Sequence, residues 1–160
     1  MPELRIWTVR HTTRIAMSPK NVFELVASVD RWRALLDSLV SVEHLGFDGV
    51  CERVRFSKRV NGVTQGMNMM LELNSKRMQV RFRHVDVLPP LASMGGLWLV
   101  TPKGRSSSMV ALDHYYRVRD NSPVTAARVE AQLAEESTSM LTALRDTADF
   151  LGMADLVGSY

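Results

Sequence analysis

Two histidines on apolar strand faces carry the chemistry open to this sequence. His114 falls in the run Met109 to Val118, where Val110, Leu112, His114 and Tyr116 share one parity. His84 closes a second run, Arg77 to Val85, on the parity of Met78, Val80 and Phe82. Alternation puts each set on one face of a strand. An imidazole, with an ordinary pKa of ~6.5, can take up a proton and later return one near neutral pH. Two inward histidines could divide acid and base roles. The plainer reading is a buried histidine bonded to its neighbours or, for His84, exposure beside the break at Pro89-Pro90. His11 shares a face with Val9 and Thr13 and reads as structural, and His44 as surface or structural. Arg83 and Asp113 fall on the outward parity.

Other chemistries lack their residues. The single Cys51 excludes an internal disulfide and a cysteine metal cluster, and fits a reducing compartment. No Gly-x-Ser-x-Gly elbow or phosphate-cradling glycine loop occurs, and no residue spacing looks like a metal site. The 160 residues are 46% apolar and 23% charged, which suits one globular domain over residues 1–160. The net charge of +3, with no Lys/Arg run above two, does not describe a nucleic-acid binder, although it is compatible with an acidic protein partner. No stretch approaches the ~20 apolar residues of a membrane span and no signal-peptide core is present, so a cytoplasmic location is expected.

The elements that must position the histidines are legible in outline. Leu4 to Ile15 alternates as a strand. Ser18-Pro19 then sets an N-cap and first turn for a short helical pair, Ser18 to Leu36, with Val22, Phe23, Val26 and Val29 as its apolar stripe, and Asp30 caps the turn holding Trp32 and Leu35. Val40 to Leu45 is a short strand. Asn61-Gly62 is a two-residue hairpin signal that pairs Val60 with Val63, Lys58 with Gln65, Phe56 with Met67 and Val54 with Met69 on an inward face. Lys58 and Gln65, beside the turn, line a pocket end or reach solvent. Arg53, Arg55, Ser57 and Arg59 face water with Thr64, Asn68 and Glu72. Leu91 to Val100 follows the proline break. From Pro123 to about Leu151, Leu133, Met140, Leu141, Leu144, Ala148 and Leu151 recur at helical spacing. A curved seven-stranded antiparallel sheet closing on one long C-terminal helix, an α+β architecture, leaves room for a pocket between them.

Ser18-Pro19, Val22-Phe23, Leu25-Val26 and Val29-Asp30-Arg31-Trp32 resemble the opening of bacterial aromatic polyketide aromatase/cyclases, START-like members of the Bet v 1-like helix-grip superfamily. The likeness continues through Asn61-Gly62, Val85-Asp86 with its following proline, Trp98 and the last strand. It implies an aromatic polyketide cyclase that folds a poly-β-ketone, or a partly cyclised polyketide, in an interior pocket and directs regiospecific aldol closure and dehydration without a cofactor. A synthase and its acyl carrier protein are the partners it implies. By position, His114 matches a histidine or glutamine of the family's last strand, and His84 a polar residue before the proline segment. Leu71 stands where the family commonly has arginine, and Met140 at or near its helical Asp or Asn; Asp146 points away by helical phase. The catalytic pair is then His114 and His84. The expected substrate-binding wall is Trp32, Gln65, Met67, Met69, Leu71, Trp98, Tyr116, Met140 and Leu144, with Gln65 or Tyr116 as carbonyl donors. Leu71 and the methionines make its middle apolar, which favours a flat, partly cyclised substrate. Two rivals stay open: a non-catalytic carrier or chaperone of an apolar molecule, and a structural synthase component whose pocket is filled.

Overall fold

The computed structural model describes residues 3–35 and 38–158, with side chains to residue 152 apart from residue 34. Leu36, the expected end of the helical pair, lies outside them. Among the described residues the order is β1 (Trp7–Ile15), α1 (Pro19–Ala27), a 3-10 helix (Val29–Ala34), β2 (Leu39–Phe47), β3 (Cys51–Val60), β4 (Val63–Asn74), β5 (Gln79–His84), β6 (Leu91–Gly104), β7 (Ser107–Val118) and α2 (Pro123–Gly158). The strands form one antiparallel sheet in the order β1-β7-β6-β5-β4-β3-β2. The expected α+β helix-grip architecture is therefore the observed one.

Local signals explain the element ends. The Ser18 hydroxyl accepts from the Asn21 N–H at 3.4 Å and Pro19 opens α1, which buries Val22, Leu25 and Val26. Asn61 and Gly62 take positive φ of 51° and 78°, and all four pairs read from the sequence form across β3 and β4. β5 is shorter than its alternation suggests. Met78 adopts φ 53° and ends a turn from Ser75, so the inward run of this strand begins at Val80.

The inner face of the sheet and one stripe of α2 enclose the core. At one end Met94, Tyr116 and Val118 pack against Ala126, Val129 and Leu133. At the other, Ile15, Val110, Leu112, Trp98 and Phe82 pack with Met140, Leu141, Leu144 and Ala148, and with α1 and the 3-10 helix. Trp32 is fixed there by a 2.9 Å bond from its indole N–H to the Val26 carbonyl and by a parallel stack on Phe56, centroids 5.4 Å apart. On the outer face, Asp113 is only 6% exposed because Arg10, its partner across β1 and β7, covers it with bonds of 2.7 and 2.8 Å.

Candidate active site

The sheet register builds the site. Leu71, Phe82, Gly96, His114 and Val9 form one continuous row from β4 through β5, β6 and β7 to β1. His84 lies two residues beyond Phe82, paired with Met69. Directly paired residues share a face, so both imidazoles rise on the concave side with the Phe82 ring between them. Phe82 meets His114 edge-on at 5.6 Å and His84 at 6.4 Å between centroids. Gly96 allows this arrangement. A Cβ there would overlap Phe82 Cζ and the Asp113 carbonyl oxygen, so only a residue without a side chain lets the ring cross β6 toward His114.

Two chambers that share lining residues lie against α2. The inner one, about 70 Å³, is walled mainly by Trp32, Phe56, Met69, Phe82, Trp98 and Met140. The outer one, about 430 Å³, opens between Gln65, the segment Asp86–Leu91 and the α2 residues Val129, Gln132 and Leu133. His84, His114, Lys58, Glu136 and Met67 border both. Lys58 reaches from β3 to α2 and pairs with Glu136 at 2.8 Å. A cavity of this size is not the filled pocket that the structural-component reading expects.

Burial sets the protonation states. Removal of water disfavours imidazolium, which lowers the His114 pKa to about 4; the Glu136 carboxylate pulls the other way and the neighbouring His84 and His11 add slightly to the depression. His84 is lowered mainly by the same burial, opposed by Glu136 and reinforced by Lys58. His114 is therefore neutral near pH 7, and its buried Nδ1 has no hydrogen-bond partner in the protein. A neutral imidazole keeps one nitrogen lone pair and can accept a proton.

The family model described as polyketide cyclase / dehydrase and lipid transport matches residues 7–149. The chain belongs to this family. It is 33% identical over 149 residues to the granaticin polyketide synthase bifunctional cyclase/dehydratase of Streptomyces violaceoruber, covering 93% of this chain and 46% of that protein. The actinorhodin polyketide synthase bifunctional cyclase/dehydratase of Streptomyces coelicolor is 32% identical over 120 residues, 75% of this chain and 38% of that protein. The chain thus spans about half or less of the curated relatives it matches. Among solved structures, the di-domain ARO/CYC BexL superposes with a TM-score of 0.82 at 26% identity, over 89% of this chain and 46% of that one. The Zhui aromatase/cyclase from a Streptomyces strain, at 22% identity and TM-score 0.79 over 91% and 94% of the two chains, shares the fold.

In this cyclase/dehydrase-family chain the expected site residues separate into two groups. His84, His114, Trp32, Met67, Met69, Trp98 and Met140 line the chambers, and exposed Gln65 stands at the mouth. Leu71 and Leu144 are packed in the core away from both chambers, 1% and 0% exposed. Tyr116 is buried as well, and its hydroxyl donates to the Ala126 carbonyl at 3.0 Å. That bond anchors α2 to β7 and removes Tyr116 as a carbonyl donor. Asp146 is exposed, as its helical phase suggests. His44 is bonded to Asp30 at 2.9 Å and to Glu52, and both carboxylates raise its pKa. Glu136 was not legible as a site residue. Its signal is its place three residues after Leu133 and four before Met140, on the edge of the buried stripe. Among the described residues no cluster of three metal-ligating side chains occurs, and no helix is long and apolar enough to cross a membrane.

Proposed function

We propose that this chain is an aromatic polyketide cyclase/dehydratase domain. The observation that carries the reading is the pair of neutral, inward imidazoles bordering both an inner chamber walled by aromatic and methionine side chains and a larger outer chamber of mixed lining. The outer chamber falls within the ~300–1,000 Å³ usual for small-molecule sites. The substrate is a poly-β-ketone, flat and partly cyclised rather than linear, because each carbonyl left dry against Met67, Met69, Phe82 and Met140 would lose about 1–3 kcal/mol of hydrogen bonding. A synthase carrier protein would present it at the mouth near Gln65 and Pro89.

His114 takes a proton from the carbon between two carbonyls, and the enolate carbon attacks a second carbonyl carbon held beside it. The new carbon–carbon bond leaves an alkoxide, which takes a proton to become a hydroxyl. His114 then removes a further α-proton and passes it to the departing hydroxyl, which leaves as water as a double bond forms in the ring. His84, which borders both chambers with His114, shares the second proton exchange. Holding one folded conformer supplies the regiochemistry and much of the acceleration. The test is product profiling with a polyketide synthase system. His114→Ala should lower cyclisation by about 10²–10⁴-fold with folding retained. Unchanged rate and product distribution would instead make the chain a binding scaffold for apolar molecules.

A further inference from the structure

A neutral base with a pKa near 4 can remove an α-proton only if the enolate it creates is stabilised by something else. In the chambers, the neutral imidazoles cannot provide a permanent positive charge, and Tyr116 is committed to α2. The one cation among the lining residues of either chamber is Lys58. Its position is unusual for a lysine. It lies on the inward parity of β3, its side chain is only 18% exposed, and it borders the inner chamber, the outer chamber and a surface groove between α2 and the residues Leu35 and Ser38.

We propose that Lys58 is a catalytic residue that binds the developing enolate or alkoxide oxygen, and that Glu136 is the counter-ion it exchanges for substrate. This deepens the cyclase reading and rests on it. The two partners are built asymmetrically. Glu136 is 44% exposed and borders the groove containing Gln132, Glu135 and Ser139, so its carboxylate can turn to water while Lys58 keeps its stem on the chamber wall. A substrate oxygen that gains negative charge then replaces one carboxylate by another anion in the same place. No protein group has to be newly desolvated when charge develops, which is the condition for electrostatic stabilisation at the transition state. Glu136 also keeps the empty site from holding an unpaired ammonium beside His84 and His114. The charged and titratable groups that share these spaces with Lys58 are Glu135 and Glu136 from α2, His84 from β5, Asp86 just after it and His114 from β7.

The experiment uses two dyes in place of substrate: anthraquinone, which is neutral, and alizarin, whose colour reports ionisation of its phenol. Anthraquinone should bind both the wild-type chain and Lys58→Met. The ionisation midpoint of bound alizarin should rise by at least about one pH unit in Lys58→Met, a tenfold loss of preference for the anion. Lys58→Arg should restore the low midpoint, and Glu136→Gln should lower it further by freeing the cation. If anthraquinone binds both proteins and the alizarin midpoint does not move, the role of Lys58 is overturned and the pocket reading stands. If anthraquinone fails to bind the wild-type chain, the pocket reading falls and takes this inference with it. Should Lys58→Met not fold, Glu136→Gln decides alone, since an unchanged midpoint there also overturns the proposal.

Discussion

Acid should unfold this protein partly through His114, and replacing that residue should blunt the effect. The imidazole titrates near its ordinary 6.5 in the unfolded chain and near 4 in the folded one. Between those values the unfolded state holds a proton that the folded state refuses, so stability is present above about pH 6.5 and is lost as pH falls toward 4. A tenfold change in proton affinity is worth about 1.4 kcal/mol, which makes the His114 contribution about 3 kcal/mol. That is a large part of the ~5–15 kcal/mol holding a typical domain together. Urea unfolding at a series of pH values, on the wild-type chain and on His114→Gln, measures it. Glutamine is polar, similar in size and does not titrate. The wild-type midpoint should fall by about 1–2 M more than that of the variant over this range. His84 also lowers stability in acid and His44 acts in the opposite sense, but both remain in each protein and cancel in the difference. Parallel losses in the two proteins would refute the burial argument for His114.

In turnover assays the acid limb of kcat/KM should have its midpoint near 4 rather than near 6.5, because the free enzyme loses its base only when His114 is protonated. Gly96→Ala should destabilise the fold by about 3 kcal/mol, since the Asp113 carbonyl in the adjoining strand cannot retreat as a flexible side chain could. Calorimetry should show this as a Tm lowered by roughly 10 °C. A flat polycyclic aromatic should bind more tightly than a linear polyketone mimic in a fluorescence titration, and the reverse order would mean that Met67, Met69 and Met140 do not shape the occupied pocket.

Wherever a property depends on neighbours in the chain, the sequence by itself determined it. Ser18-Pro19 starts a helix through one hydroxyl and one fixed φ, and Asn61-Gly62 sets a register from which every inward residue of the hairpin follows. Alternation likewise put His84 and His114 on the concave side. Alternation has no depth, however. It assigned Met69 and Tyr116 to one wall, to which the family resemblance added Leu71, whereas the position of α2 leaves Met69 on the chamber, seals Leu71 in the core and binds the Tyr116 hydroxyl. It assigned Asp113 to water, yet Arg10, 103 residues away, covers it. The pairing of Lys58 with Glu136 across 78 residues, the Phe82 ring passing over Gly96, and the depressed pKa of His114 are likewise tertiary. Face is a local property because side chains alternate every residue. Burial, ion pairing and proton affinity depend on what distant elements bring within a few ångströms, so only the folded chain could decide them.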